Sequence, residues 1–369
     1  MNYVNKYLRN FKPYKVASHK IWSVPPKERP QILKLDWNES TQDPTPLVKE
    51  KIQLLLGDGH FFNLYPATCN DELLLLLSKY TGMPIDNIQY FGSSDSLHEY
   101  ISKLFISVGD PVVLIWPSYD NFRLTAEVNG AVVHYFNFEP DFTFNECEFK
   151  DFISRHNASL VYICNPNNPT GYLHSPSFIE SLLSEFPETM FLVDEAYFEF
   201  TNNKTTCCYL VSKYENLLVS RTMSKAFGIA NFRFGYLISS KKNIDYISTI
   251  RNPKNITTFA QIAAMAVLED VPYMERYVSE VKKTREFFVK ELNKKGKIKC
   301  FDSEGNFVIM KFSSYDEKMN CFNFLSKRNI FVRNIDQDPI VHDCLRITIG
   351  TFEQMSIVLG VLDEFFKNN

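Results

Sequence analysis

The 369 residues exceed what one hydrophobic core normally holds, since cores stop growing near about 250–300 residues, so one large and one smaller domain are expected. Hydrophobic residues make up 45% and charged residues 22% of the chain, enough apolar surface to offset ordering entropy throughout and to exclude extended disorder. Forty basic against 43 acidic side chains leave a formal charge of -3, which excludes a global positive field for nucleic acid or anionic membrane and directs attention to a small-molecule partner.

The opening MNYVNKYLRNFKPYK is polar and aromatic rather than basic and then apolar, which argues against a secretory signal. The longest apolar run, Leu73 to Leu77, is far short of the roughly 20 residues that span a bilayer. From about residue 85 to 240, short β-rich runs alternate with helical stretches, the pattern of a parallel sheet covered by helices. The predicted strands are Ile88–Phe91, Pro111–Trp116, Ala131–Phe136, Leu160–Cys164, Met190–Val193, Leu217–Ser220 and Phe234–Ile238. Asp95–Val108 and Ser175–Phe186 carry apolar residues at three-to-four spacing, as helices on a sheet face do. Beyond residue 250, Ile256–Leu292 reads as one long helical stretch. Strands at Asn306–Phe312, Ile330–Val332 and Leu345–Ile349 follow, with helices at Glu317–Arg328 and Thr351–Lys367. The expected organisation is a large α/β domain over residues 46–265 with a mostly parallel seven-stranded sheet. An N-terminal arm, 1–45, joins a smaller α+β domain over 266–369. The eight cysteines, at 69, 147, 164, 207, 208, 300, 321 and 344, show no CxxC pair and no zinc spacing. They read as reduced thiols of a cytoplasmic protein with no metal site.

In open parallel sheets, ligands bind beyond the carboxyl ends of the strands. Four such ends carry polar residues: NPNNPTG (Asn165–Gly171) after VYIC, DEAY (Asp194–Tyr197) after FLV, RTMSKAFG (Arg221–Gly228) after LLVS, and Arg233 in NFRFGY. A lone lysine among Ser and Thr is usually a solvated surface residue, and a lone Asp after a strand is usually a helix cap. Their joint occurrence, in one order and at successive strand ends, points instead to a cofactor site. A reactive amine, a buried carboxylate, a phenol and a phosphate cup are together what pyridoxal 5'-phosphate requires. Lys225 supplies the amine that bonds to the cofactor aldehyde, and Asp194 supplies the carboxylate that keeps the pyridine nitrogen protonated. Tyr197 and Asn168 suit the ring oxygen, while Thr222, Ser224 and Arg233 suit the phosphate.

The string from NPNNPTG through DEAY to RTMSKAFGIANFRFGY resembles the histidinol-phosphate aminotransferase family, within fold type I of the pyridoxal-phosphate enzymes. The similarity runs from Lys12–Tyr14 to Leu345–Thr351. It implies that Tyr119 of WPSYDNF stacks on the cofactor face and that the backbone amides of Ser94 and Asp95 in FGSSDS form the phosphate cup. It also implies that Tyr65 of NLYP crosses a dimer interface to the neighbouring subunit's cofactor phosphate, so that the active unit is a homodimer. Asn38 and Glu39 of WNES would lie on a substrate loop, and Tyr14, Arg333 and Arg346 at the anionic end of the substrate. The chain departs from the family at Leu64, where arginine is common, at Ser93–Ser96, where the cup's glycine and glutamate are replaced, and at Asn231, where glycine is usual. The implied reaction moves an amino group from a donor, glutamate, to a small phosphorylated ketone. Imidazole-acetol phosphate and dihydroxyacetone phosphate both remain open as acceptors. The alternative is a decarboxylase of a phosphorylated amino acid.

Overall fold

The computed structural model describes residues 20–368, His60 and Gln337 excepted. Tyr14 therefore lies outside the described residues. A short first strand, β1 (Leu33–Leu35), precedes seven strands that form one sheet: β2 (Ile88–Phe91), β3 (Pro111–Trp116), β4 (Val132–Asn137), β5 (Leu160–Cys164), β6 (Met190–Asp194), β7 (Leu217–Thr222) and β8 (Gly235–Ser239). Their spatial order is β2-β8-β7-β6-β5-β3-β4. Only β8 runs against its neighbours. The runs LVYIC of β5 and LLVSRT of β7 are buried at every residue, as expected where helices cover both faces of a parallel sheet.

The topology gathers the functional strand ends at one edge. Strands β3, β5, β6 and β7 finish there at Trp116, Cys164, Asp194 and Thr222. Gly235 of β8 pairs with both Phe91 and Thr222, which brings the turn after β2 to the same edge.

A second sheet contains β9 (Lys299–Cys300), β10 (Phe307–Lys311), β11 (Ile330–Asn334) and β12 (Cys344–Thr348), with β1 at its edge in the order β1-β11-β12-β10-β9. Because β1 pairs parallel with β11, the residues that follow it are held across the carboxyl edge of the first sheet. No helix among the described residues is long and apolar enough to cross a membrane. All eight cysteines are free thiols.

Several expected boundaries move, each for a local reason. The stretch Ile256–Leu292 is two helices, Thr258–Glu269 and Val271–Lys295, and the first spans the domain limit expected at 265. Asp270 breaks the run with an extended φ of -126°, and Pro272 restarts it in the first turn, where its missing N–H is harmless. Strand β4 begins at Val132 rather than Ala131, because the Ala131 amide is taken by the Ala126 carbonyl at 3.1 Å, closing the preceding helix. The helix Asp71–Thr81 escapes sequence reading because five consecutive leucines hide its period. Only Leu73 and Leu77, one turn apart, are buried, and Asn70 caps the start by accepting the Leu73 amide at 3.0 Å.

His174 gives the fold a pH dependence. Its ring packs among Phe144, Tyr172 and Phe178, and neither ring nitrogen has a hydrogen-bond partner among the described residues. Burial pushes its pKa down to about 3. The unfolded chain binds this proton below about pH 6.5, whereas the folded chain refuses it until about pH 3. Stability is therefore complete above pH 6.5 and is lost as pH falls from there towards 3. His174→Leu should raise the urea midpoint at neutral pH and make the loss of stability between pH 7 and pH 5 shallower by about 2 kcal/mol. Parallel pH profiles for the two proteins would refute this assignment.

Candidate active site

The carboxyl edge of the first sheet and the facing residues of the second enclose a cavity of about 570 Å³, whose lining includes Asp194, Tyr197, Thr222, Lys225, Arg333 and Arg346. That volume lies in the range of small-molecule sites. At one end is an anion cup. A Cβ on Gly235 would lie 2.4 Å from the Ser94 nitrogen and 2.6 Å from the Ser93 carbonyl carbon, so only glycine lets β8 lie this close to the turn. Ser93 then takes φ +119° and accepts the Ser96 amide on its hydroxyl at 3.1 Å, opening the helix Ser94–Phe105. The amides of Ser94 and Asp95 have no acceptor among the described residues and remain available to a ligand. Thr222 and Ser224 bring their hydroxyls within 3.0 Å of each other beside this turn. Arg233 donates to the Asp95 carboxylate at 3.0 Å, and the same carboxylate accepts from the Tyr119 hydroxyl at 2.8 Å and from Asn121 at 3.0 Å. Two backbone amides, two hydroxyls and a guanidinium form the donor set that a phosphate monoester needs.

Asp194 ends β6 in the floor of the cavity, almost wholly buried. One carboxylate oxygen accepts from the Tyr162 hydroxyl at 3.0 Å and the other from the Ala196 amide at 3.2 Å, while His98 stands 3.9 Å away. Burial raises its pKa above the ordinary carboxylate value, against the opposing effects of His98 and the Tyr162 hydroxyl. A protonated ring nitrogen set against this carboxylate would return it to its ionised form, which is the behaviour of a site built for a cationic partner.

Tyr197 accepts from the amides of Asn38 and Asn168, each at 3.2 Å, which leaves its own O–H to donate. Burial pushes its pKa up, so the phenol keeps that proton. Asn168 in turn accepts from Arg346 at 2.6 Å, and Arg346 also donates to the Asp36 carbonyl at 2.7 Å. Lys225 donates to the Trp37 carbonyl at 2.9 Å. Burial and the nearby Arg346 lower its pKa to about 8, so far more of the amine is neutral near physiological pH than for an ordinary lysine.

Comparison with known proteins matches residues 30–362 to the model for aminotransferase class I and II. The chain belongs to this aminotransferase family. A dihydroxyacetone phosphate transaminase from Campylobacter jejuni is 41% identical over 368 residues, covering 98% of this chain and 97% of that one. A histidinol-phosphate aminotransferase from Ruminiclostridium cellulolyticum is 31% identical over 361 residues, 97% of each chain. A solved histidinol-phosphate aminotransferase from Sinorhizobium meliloti, in complex with pyridoxal-5'-phosphate, superposes with a TM-score of 0.87 over 100% of this chain and 98% of that chain, at 23% identity.

Within the aminotransferase, Ser94, Asp95, Tyr119, Asn168, Asp194, Tyr197, Thr222, Ser224, Lys225, Arg233, Arg333 and Arg346 all meet at the one cavity. Asn38 and Glu39 follow β1 in an irregular segment. Asn38 is fully buried behind Tyr197, where it orients the phenol, while Glu39 reaches the cavity wall. Tyr65 is 81% exposed and lies outside this cavity. Sequence reading missed Tyr162 and His98 beneath Asp194, because both sit on apolar runs where they read as core. It also missed Trp37, whose contribution is a backbone carbonyl and leaves no side-chain signature.

The depressed Lys225 pKa is testable without cofactor. Labelling of Lys225 in the apo-protein by an amine-reactive reagent, followed peptide by peptide, should rise with pH to a midpoint of about 8. In Arg346→Met the midpoint should move up, because the second cation is gone. An unchanged midpoint would remove Arg346 as a cause.

Proposed function

We propose that this aminotransferase holds pyridoxal phosphate on Lys225, as a cytoplasmic homodimer, and transfers the amino group of glutamate to a short phosphorylated ketone, dihydroxyacetone phosphate being the favoured acceptor. The observation that carries the acceptor class is the register of the second sheet, in which Arg333 of β11 stands directly opposite Arg346 of β12. Like charges opposed across strands are destabilising on their own, and both guanidinium groups line the cavity that contains Lys225. A dianionic phosphate between them, or a donor carboxylate in the other half-reaction, converts that repulsion into binding. The C. jejuni relative, with its matched length, favours the three-carbon acceptor.

When bound, pyridoxal phosphate supplies an aldehyde that accepts the amino group and a ring that draws electron density from the substrate carbon. The chain supplies the rest. The amides of Ser94 and Asp95, with Thr222, Ser224 and Arg233, anchor the phosphate, and the aromatic face of Tyr119 suits the flat ring. Asp194 keeps the ring nitrogen protonated, and Tyr197 donates its hydroxyl proton towards the ring oxygen. Lys225, once released, is the amine that takes a proton from the substrate carbon and returns it on the other side of the exchange. Its pKa of about 8 suits both directions near neutral pH. Tyr65 supports the dimer, because it is exposed together with its chain neighbours Phe62 and Leu64, apolar side chains that a second copy would cover while bringing Tyr65 to its neighbour's phosphate cup.

Purified protein should show the visible absorption of the lysine-linked cofactor, lose it on addition of glutamate and regain it with dihydroxyacetone phosphate. Lys225→Ala should lack the band. Asp194→Ala should retain cofactor and lose about 10²–10³-fold in kcat. Indifference to glutamate, with release of carbon dioxide from a phosphorylated amino acid, would replace this reading with a decarboxylase.

A further inference from the structure

The helix Ser94–Phe105 opens on the anion cup and, one turn further on, carries His98 beneath the cavity floor. His98 and Ser220 are fully buried, and Asp194 almost so. Asp194 and Ser220 stand in register on the adjacent parallel strands β6 and β7, so their side chains leave the sheet on the same face. The Nε2 of His98 lies 3.1 Å from the Ser220 hydroxyl oxygen and 3.9 Å from Asp194 Oδ2, within hydrogen-bond reach of the first and beyond it for the second. The imidazole is held edge-on against Phe122 at 5.7 Å and Tyr162 at 5.8 Å, two rings that stack on each other at 4.7 Å.

These contacts select a tautomer. The Nδ1 of His98 has no hydrogen-bond partner among the described residues. A proton there would be a buried donor without an acceptor, a costlier orphan than a bare ring nitrogen. A proton on Nε2 instead finds the Ser220 oxygen, and the hydrogen bond made on one side of the ring fixes which nitrogen carries it. With the Ser220 oxygen occupied as an acceptor, its own O–H is left to donate, and the carboxylate facing it from the neighbouring strand is that of Asp194. Burial, and more weakly Asp95, raise the Asp194 pKa, while His98, the Tyr162 hydroxyl and the Ser220 hydroxyl all act to lower it. The underside of Asp194 is therefore a built arrangement of donors and not a filled piece of core.

We propose that His98 is a positioning residue for the transamination: its Nε2–H holds the Ser220 hydroxyl towards Asp194, so that Asp194 meets the cofactor's ring nitrogen as an oriented anion. This rests on the assignment of Asp194 to that nitrogen. His98 does not line the cavity and acts only through Ser220 and Asp194.

The test titrates the full-length apo-protein with pyridoxal phosphate and with its deaza analogue, in which a C–H replaces the ring nitrogen and leaves Asp194 nothing to meet. Both compounds keep the aldehyde and the phosphate, so Lys225 and the anion cup engage them alike, and the quantity read is the ratio of their dissociation constants. The wild type should prefer pyridoxal phosphate. That preference should fall about tenfold in His98→Leu and in Ser220→Ala, the scale of one hydrogen bond to a charged group. It should fall no further in the double variant, because the two side chains act in one chain. His98→Gln, which keeps an N–H donor at similar reach, should retain most of the preference, and Ser220→Ala carries the test if His98→Leu fails to fold. Equal weakening of both compounds in the His98 and Ser220 variants would make His98 a packing residue and overturn the proposal. Asp194→Ala separates the two readings. If the preference survives there, Asp194 does not meet the ring nitrogen and the underlying assignment falls; if it collapses there but stays intact in His98→Leu and Ser220→Ala, the role of His98 alone is overturned.

Discussion

The site depends on a carboxylate held where carboxylates are costly. Asp194 is removed from water at the end of a central strand, and burying an unpaired charge there would cost several kcal/mol if nothing compensated. Three neighbours reduce that cost without eliminating it: the Tyr162 hydroxyl, the Ala196 amide and, more distantly, His98. The raised pKa records the remainder. The same low-dielectric floor acts in the opposite sense on Lys225, whose amine it drives towards neutrality with help from Arg346. One buried environment thus raises an acid and lowers a base in a single cavity. A ligand with a cationic ring nitrogen and an electrophilic carbon meets both needs together.

The second sheet converts this floor into an enclosed chamber. Because β1 pairs with β11, the backbone from Asp36 to Asn38 crosses the open edge of the first sheet. Its carbonyls accept from Arg346 and Lys225, and Asn38 reaches Tyr197. A chain of hydrogen bonds therefore runs from Arg346 through Asn168 to Tyr197, linking the proposed substrate-binding arginine to the phenol proposed to face the cofactor. Displacement of Arg346 by a bound anion would be felt at Tyr197 through Asn168, a contiguous physical path between the two ends of the site.

The parallel core was legible because its strands are buried on both faces, and short apolar runs such as LVYIC or the LLV that opens β7 have few other readings. The residues that gather at the cavity were legible where a motif placed them at a strand end. Two kinds of feature were not. Backbone donors and acceptors, such as the Trp37 carbonyl, leave no trace in side-chain identity. Nor do pairings between distant segments: Trp116 and Asp338 are 222 positions apart, and Arg333 meets Arg346 only through sheet register. The helix Asp71–Thr81 failed for another reason, since a run of leucines carries no period and only packing decides which of them are core.

The departures from the family pattern fall where the geometry can absorb them. The proposed phosphate cup relies on the amides of Ser94 and Asp95, which any side chain supplies, so replacing the cup's glutamate leaves the donors in place. Asn231 is not among the residues with positive φ, so the exchange of a glycine there carries no backbone penalty. Ser93 is different. At φ +119° it bears a strain of about 1–3 kcal/mol that glycine would escape. It retains a hydroxyl that caps the Ser96 amide at 3.1 Å, an interaction of about 1 kcal/mol at a helix start. The residual strain falls beside Gly235, where no Cβ fits and the chain has kept glycine. The backbone of the cup is thus the constrained feature and its side chains are free to drift.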